Sequence, residues 1–134
     1  MRLHHVQVAC PRGGEDVARA FYAGALGLHE VDKPEDLRAR GGAWFRAYDE
    51  DGGVTAEIHV GVEDPFLPAR KAHPALLLGS AAELDAVRRR LENAGYEVDL
   101  SQRDTFPGHD RVHTFDGHGN RVELLVAAPA RFTG

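Results

Sequence analysis

Apolar and polar residues alternate along several short segments of this chain, and each segment predicts a β-strand with one buried face. Residues 3–9, LHHVQVA, put their valines on one face and His5 on the other. Residues 54–62 place Glu57 and His59 opposite a run of apolar side chains. Further strands are predicted at residues 28–32, 43–48, 74–79, 96–100, 111–115 and 121–127.

Two segments have helical spacing instead. Residues 14–27, GEDVARAFYAGALG, carry acidic residues at the start and glycines at the end. Residues 80–95, SAAELDAVRRRLENAG, begin with a capping box of Ser80 and Glu83. Each helix follows one strand and precedes three, so the element order is βαβββ twice.

The two halves are also in register. His5 precedes Gly27 by the same number of residues as His73 precedes Gly95. We therefore predict one domain over residues 1–134 built from a duplicated unit, with module one at about 1–65 and module two at about 72–129.

Composition narrows the class of protein. Of 134 residues, 43% are hydrophobic and 28% charged, as in folded globular chains, and the net charge of -5 argues against nucleic-acid binding. The longest apolar runs fall short of the roughly 20 residues of a membrane span, and no signal-peptide pattern begins the chain. A single cysteine, Cys10, excludes an internal disulfide, so we expect a cytoplasmic protein.

The polar faces of the predicted strands share one chemistry. Imidazoles and carboxylates are suitable ligands for a divalent cation, and they would converge if the modules closed around these faces. A lone histidine on a strand is more often a satisfied structural residue, but its recurrence in both halves favours a metal or polar ligand site. The residues concerned are His5, Glu57, His59, His73 and Glu123.

Several motifs resemble the vicinal oxygen chelate superfamily, which includes glyoxalases, bleomycin-resistance proteins and ring-cleaving dioxygenases. The resemblance covers nearly the whole chain and rests on LHHVQVA, FYAGALGL, AHPALLL, LENAGYEV and DGHGNRVELL. The family usually has a sequence like D-P-D-G-N in the last turn, and FDGHGN departs from it while keeping the Gly-Asn pair. The resemblance implies an α+β fold of two βαβββ modules forming an open, cup-shaped mixed sheet with helices on the outer face.

The resemblance also implies a homodimer and a divalent metal ion (Ni, Zn, Mn, Fe or Co). By position, His5, His73 and Glu123 match metal ligands of the family. The fourth place falls on Glu57 or His59, depending on how the repeat is aligned, with a slight preference for His59.

By the same resemblance, the metal would chelate adjacent oxygens of a small substrate and stabilise an oxyanion. Glu123 would act as a ligand and Glu57 as a candidate base. Candidate substrate-binding residues, each equally readable as surface charge or core packing, are Arg111, His113, Arg46 and Trp44.

Three functions remain open. The first is a metal-dependent lyase or isomerase, the second a metal-free protein that sequesters an antibiotic or metabolite, and the third an extradiol-type dioxygenase. A fosfomycin-type thiol transfer is a further option without a distinctive loop. The chain lacks the Walker A, dinucleotide-binding, H-E-x-x-H and G-x-S-x-G motifs, which excludes those sites.

Overall fold

A computed structural model of the chain describes residues 1–128, and the predicted end of module two at residue 129 lies outside this range. Eight strands form two open four-stranded sheets, ordered β1-β4-β3-β2 and β5-β8-β7-β6. The strands are β1 Val6–Cys10, β2 His29–Val31, β3 Ala43–Tyr48, β4 Val54–Val62, β5 Ala75–Leu77, β6 Val98–Asp99, β7 His109–Phe115 and β8 Arg121–Ala127.

Both sheets have the same topology. The first strand of each module pairs in parallel with the last strand, and the other neighbours pair in antiparallel. The parallel pair requires a crossover, which a helix supplies in each module. The predicted α+β fold with two βαβββ modules is confirmed.

The helices agree with the predicted segments but differ in detail. Helix α1, Glu15–Arg19, continues as a π-helical segment, Ala20–Ala25, and α3 spans Ala81–Asn93. Half of the capping box forms, because the Glu83 backbone N–H donates to Ser80 Oγ at 3.1 Å. The Glu83 carboxylate accepts from the Gly79 N–H at 2.9 Å instead of from Ser80. Residues 33–42, where the sequence predicts neither strand nor helix, contain the short helix α2, Glu35–Arg38. Pro34 is its N-cap and has the extended backbone typical of that position.

The first strand of each module starts later than predicted. β1 begins at Val6, the first residue paired with β4, and β5 begins at Ala75. His5 therefore directly precedes β1, and His73 lies two residues before β5, rather than either lying within its strand. Each histidine remains beside the parallel partner strand but is less constrained by backbone hydrogen bonds.

The core lies between the sheets and the helices. Its larger side chains come from the helical crossovers and from the apolar faces of the central strands. The side chains in this core that are almost fully buried include Phe21, Tyr22, Phe45, Ile58, Leu91, Val122 and Leu124. Cys10 is also fully buried, and burial raises the pKa of its thiol, which fits packing rather than nucleophilic chemistry.

A buried polar network ties the two modules together. Tyr22 Oη, in module one, donates to Asp116 Oδ2 at 2.8 Å. Asn120 Nδ2 donates both to Asp116 Oδ2 at 2.9 Å and to the Ala9 carbonyl oxygen at 2.8 Å. The final Gly-Asn turn is thus more than a strand connection, because its two polar residues anchor module two to the first strand and helix of module one.

Within residues 1–128, no helix has the length and apolar character needed to span a membrane.

Gly42 connects the α2 loop to β3 under a strict steric constraint. Its φ is +86°, and a Cβ there would lie 2.1 Å from the Val60 carbonyl oxygen. We expect Gly42→Ala to lower the free energy of unfolding by about 3 kcal/mol or more, since backbone strain and a clash combine. Chemical denaturation measures this change.

Gly52→Ala is the matched control. Gly52 also has a positive φ, +83°, but no atom lies within 4 Å of a Cβ built there. It should cost only the left-handed conformation, about 1–2 kcal/mol. Equal losses for the two variants would contradict the steric argument.

Candidate metal centre

The candidate ligands gather into two separate clusters, one in each module. One consists of His73, His113 and Glu123, and the other of His4, His5 and Glu57; within each, the possible ligand atoms lie within 4.8 Å of one another. Among residues 1–128, no such group combines residues of the two modules. The chain therefore carries two separate candidate clusters.

The module-two cluster is centred on one carboxylate oxygen. Glu123 Oε1 lies 3.0 Å from His73 Nε2 and 3.1 Å from His113 Nε2. Arg111 Nη1 donates to the same oxygen at 3.4 Å. β7 and β8 create this convergence, because His113 and Glu123 are directly paired across the antiparallel ladder.

The surroundings set the protonation states of this cluster. Burial would raise the pKa of Glu123, but hydrogen bonding from His73 and the positive charge of Arg111 outweigh it and lower that pKa. Burial lowers the pKa of His113. An ionised carboxylate beside a neutral imidazole is the state that a metal ion requires of its ligands.

One atom in this cluster has no hydrogen-bond partner. His113 is 1% exposed, and its Nδ1 is buried and unpaired among residues 1–128. Buried polar atoms are rarely left without a partner. His113 Nδ1 therefore has unused hydrogen-bonding capacity inside the protein.

The module-one cluster is centred on Glu57. Glu57 Oε2 lies 2.6 Å from His59 Nε2, and Arg46 Nε donates to Glu57 Oε1 at 2.5 Å. Burial opposes the charge of Glu57, but the hydrogen bonds from His59 and Arg46 outweigh it and lower the Glu57 pKa. His4 Nδ1 lies 4.0 Å from Glu57 Oε2.

His59 is enclosed between two other rings. Its imidazole stacks on Trp44 with centroids 3.9 Å apart and on His5 with centroids 4.0 Å apart. Burial lowers the pKa of His59. The hydrogen bond between His59 Nε2 and Glu57 Oε2 orients the Glu57 carboxylate. The candidate ligand group with His4 and His5 contains Glu57 and not His59.

All of the predicted site residues thus lie in or beside one of the two clusters. They are divided between two clusters, however, and do not form one shared site within the chain. Trp44, Arg46 and Arg111, considered as substrate contacts, touch candidate ligands instead. Sequence reasoning missed His4, whose Nδ1 is 2.9 Å from that of His5. The pair of adjacent histidines at positions 4 and 5 is the sequence feature that could have pointed to it.

Comparisons with known proteins agree with the fold. The family model described as the Glyoxalase/Bleomycin resistance protein/Dioxygenase superfamily matches residues 2–124. The chain belongs to this superfamily. Among curated proteins, none matches the sequence.

Solved structures similar to the chain come from the same fold. A glyoxalase family protein from Bacillus anthracis is 38% identical, with a TM-score of 0.80 over 96% of this chain and 100% of that one. The fosfomycin resistance protein FosX from Listeria monocytogenes is 16% identical, with a TM-score of 0.69 over 96% and 94% of the chains. TnmS3, an antibiotic binding protein from Streptomyces sp. CB03234, is 24% identical, with a TM-score of 0.62 over 96% and 99%.

The geometry makes His113 a ligand candidate, and this can be tested directly. We expect His113→Gln to weaken zinc and manganese binding by about tenfold or more, because one of three converging ligand atoms is lost. Isothermal titration measures the affinity. His109→Gln, on the same strand but outside the cluster, is the control. Unchanged affinity in a folded His113→Gln protein would remove His113 from the site.

Proposed function

We propose that this protein is a divalent-metal-dependent enzyme of the lyase or isomerase type that acts on a small oxygenated metabolite. The observation that supports it most is the convergence of His73 Nε2 and His113 Nε2 on one buried Glu123 oxygen. Burying an ionised carboxylate is energetically unfavourable, and binding of a cation to that charge offsets the cost. Superfamily membership is consistent with this chemistry.

The donor set fits a metal ion. His73, His113 and Glu123 would hold it, with two nitrogens and one oxygen, and they leave coordination positions open. A divalent ion bound there supplies a Lewis acid that stabilises negative charge developing on a substrate oxygen. Ni, Zn, Mn, Fe and Co all accept such ligands, and titration with each must decide between them.

The remaining residues have distinct roles in this proposal. Arg111 holds the Glu123 carboxylate in place through its contact at 3.4 Å. Glu57 is the candidate base, and its bonds to Arg46 and His59 must loosen before it takes a proton, since both keep its pKa low. Trp44 and Arg46 remain candidate substrate contacts beside it.

We further infer that a homodimer completes the site. Within one chain the His5 cluster and the Glu123 cluster are separate groups, although by position both belong to one ligand set. A second copy related by two-fold symmetry can bring module one of one chain onto module two of the other. His5, with Glu57 or His59 behind it, would then face His73 and Glu123 across the interface.

Mixed dimers test this arrangement. His5→Ala and Glu123→Gln, each alone, should lose stoichiometric metal binding. Dissociating and reassembling the two variants together should restore about a quarter of the wild-type sites, because half of the dimers then contain one intact site. Elemental analysis of the reassembled protein measures the recovery, and His29→Ala, outside both clusters, is the control for each step.

The outcomes separate the alternatives. No recovery from two folded, dimeric variants would place the site within a single chain. Full metal binding by each variant alone would refute the ligand assignment. Preferential binding of Fe(II) with dioxygen consumption would favour the dioxygenase alternative, since two histidines and one carboxylate also suit non-haem iron.

A metal-free sequestering role is the second candidate. A cavity of about 730 Å³, separate from both clusters, is lined largely by leucine and alanine side chains, including Leu26, Leu76 and Leu124. Its size suits a drug-like molecule. A similar structure belongs to an antibiotic binding protein. Tight binding of an antibiotic by chelator-treated protein, unaffected by Glu123→Gln, would favour this role.

A further inference from the structure

A small pocket beside the module-one cluster has features that the proposed metal chemistry does not use. We call it the basic pocket; its volume is about 200 Å³, and its lining includes Gln7, Lys33, Arg40, Trp44 and Gly61. Gln7 pairs with His59 across the β1–β4 ladder, and Trp44 stacks on the His59 ring. The pocket therefore adjoins His59 on the same face of the sheet.

The α2 loop forms the basic side of this pocket. Lys33 precedes helix α2 and Arg40 follows it, and the Lys33 ammonium donates to the Gly41 carbonyl oxygen, which closes the loop on itself. Gly42 then returns the chain to β3 with a conformation that only glycine adopts readily. Both cations are thus presented by a constrained loop.

The absence of a side chain at Gly61 lets the Gln7 side chain line the pocket. A Cβ at Gly61 would lie 2.7 Å from Gln7 Nε2, so the Gln7 amide lies across the position that a side chain would fill. Trp44 is half-buried, with one face covered by His59. The pocket thus offers an amide donor and part of an indole beside two cations.

The pocket places two cations side by side in a chain whose net charge is -5. The arginines beside the two carboxylate clusters, Arg46 and Arg111, are by contrast paired with Glu57 and Glu123. Among residues 1–128, neither Lys33 nor Arg40 has a carboxylate within ion-pairing distance. Two cations without an anionic partner at one small pocket indicate an anionic ligand.

We propose that the basic pocket binds the carboxylate end of a small planar organic acid. The carboxylate would lie between Lys33 and Arg40, and the planar part would pack against Trp44. The rest of the molecule would extend past His59 toward His5 and Glu57. This inference rests on the proposed function only for that last step, and it narrows the substrate class from an oxygenated metabolite to a planar carboxylate.

Trp44 supplies the readout, because it is the only tryptophan in the sequence. Benzoate is the probe, with benzamide as its neutral counterpart and cyclohexanecarboxylate as its non-planar counterpart. Benzoate should change the Trp44 fluorescence saturably, bind more tightly than either counterpart, and bind more weakly as salt screens the cations. Titrations are done on metal-loaded and chelator-treated protein.

Two variants test the cations separately. Arg40→Gln and Lys33→Gln should each weaken benzoate binding by about fivefold or more. Arg89→Gln, which removes the same charge from the outer face of α3, should leave it unchanged. If Lys33→Gln disturbs the loop, Arg40→Gln still decides, because no hydrogen bond of its side chain holds the loop within residues 1–128.

The proposal is overturned if benzoate causes no saturable change, if benzamide or cyclohexanecarboxylate binds as well as benzoate, or if folded Arg40→Gln binds benzoate like the wild type. Benzoate binding that persists in chelator-treated protein supports the pocket even where metal binding fails. Failure of the metal proposal and failure of this one are therefore distinguishable.

Discussion

Two buried carboxylates, Glu57 and Glu123, determine how the residues of both clusters are arranged. Each is less than a tenth exposed, and each is kept ionised by an arginine together with an imidazole. An ionised carboxylate without such partners would not stay charged in this setting. The neighbouring histidines and arginines therefore have a structural role in keeping these carboxylates ionised. An ionised carboxylate is also what a cation site requires of a ligand.

The hydrogen-bond network at the turn before β8 holds the two modules, and therefore the two clusters, in fixed positions. Asp116 and Asn120 accept and donate bonds that reach Tyr22 and the Ala9 backbone, and burial together with Asp116 raises the Tyr22 pKa. The helices and this turn thus hold the modules against each other through their apolar faces and leave the polar faces available. A site that uses both faces would need a second chain to complete it, which is the reason for including a homodimer in the functional proposal.

The sequence predicted the element order because the alternating strands and the capped α3 are determined locally. It also placed Glu57, His59 and Glu123 on the polar faces of their strands by parity, whereas His73 lies two residues before β5, where parity does not apply. It could not separate Glu57 from His59, because their difference depends on ring stacking with Trp44 and His5. The pairing of His113 with Glu123 and the Asn120 contact with Ala9 join distant residues, and no local pattern specifies such tertiary register.

Anomalous diffraction from crystals grown with manganese or cobalt tests the central claim most directly. The account predicts a peak at full occupancy between His73 and Glu123, close to His113, with His5 of the partner subunit completing the coordination. A peak bounded by residues of one chain alone would contradict the shared site. A strong peak elsewhere, with these side chains still hydrogen-bonded only to one another, would contradict the metal centre itself.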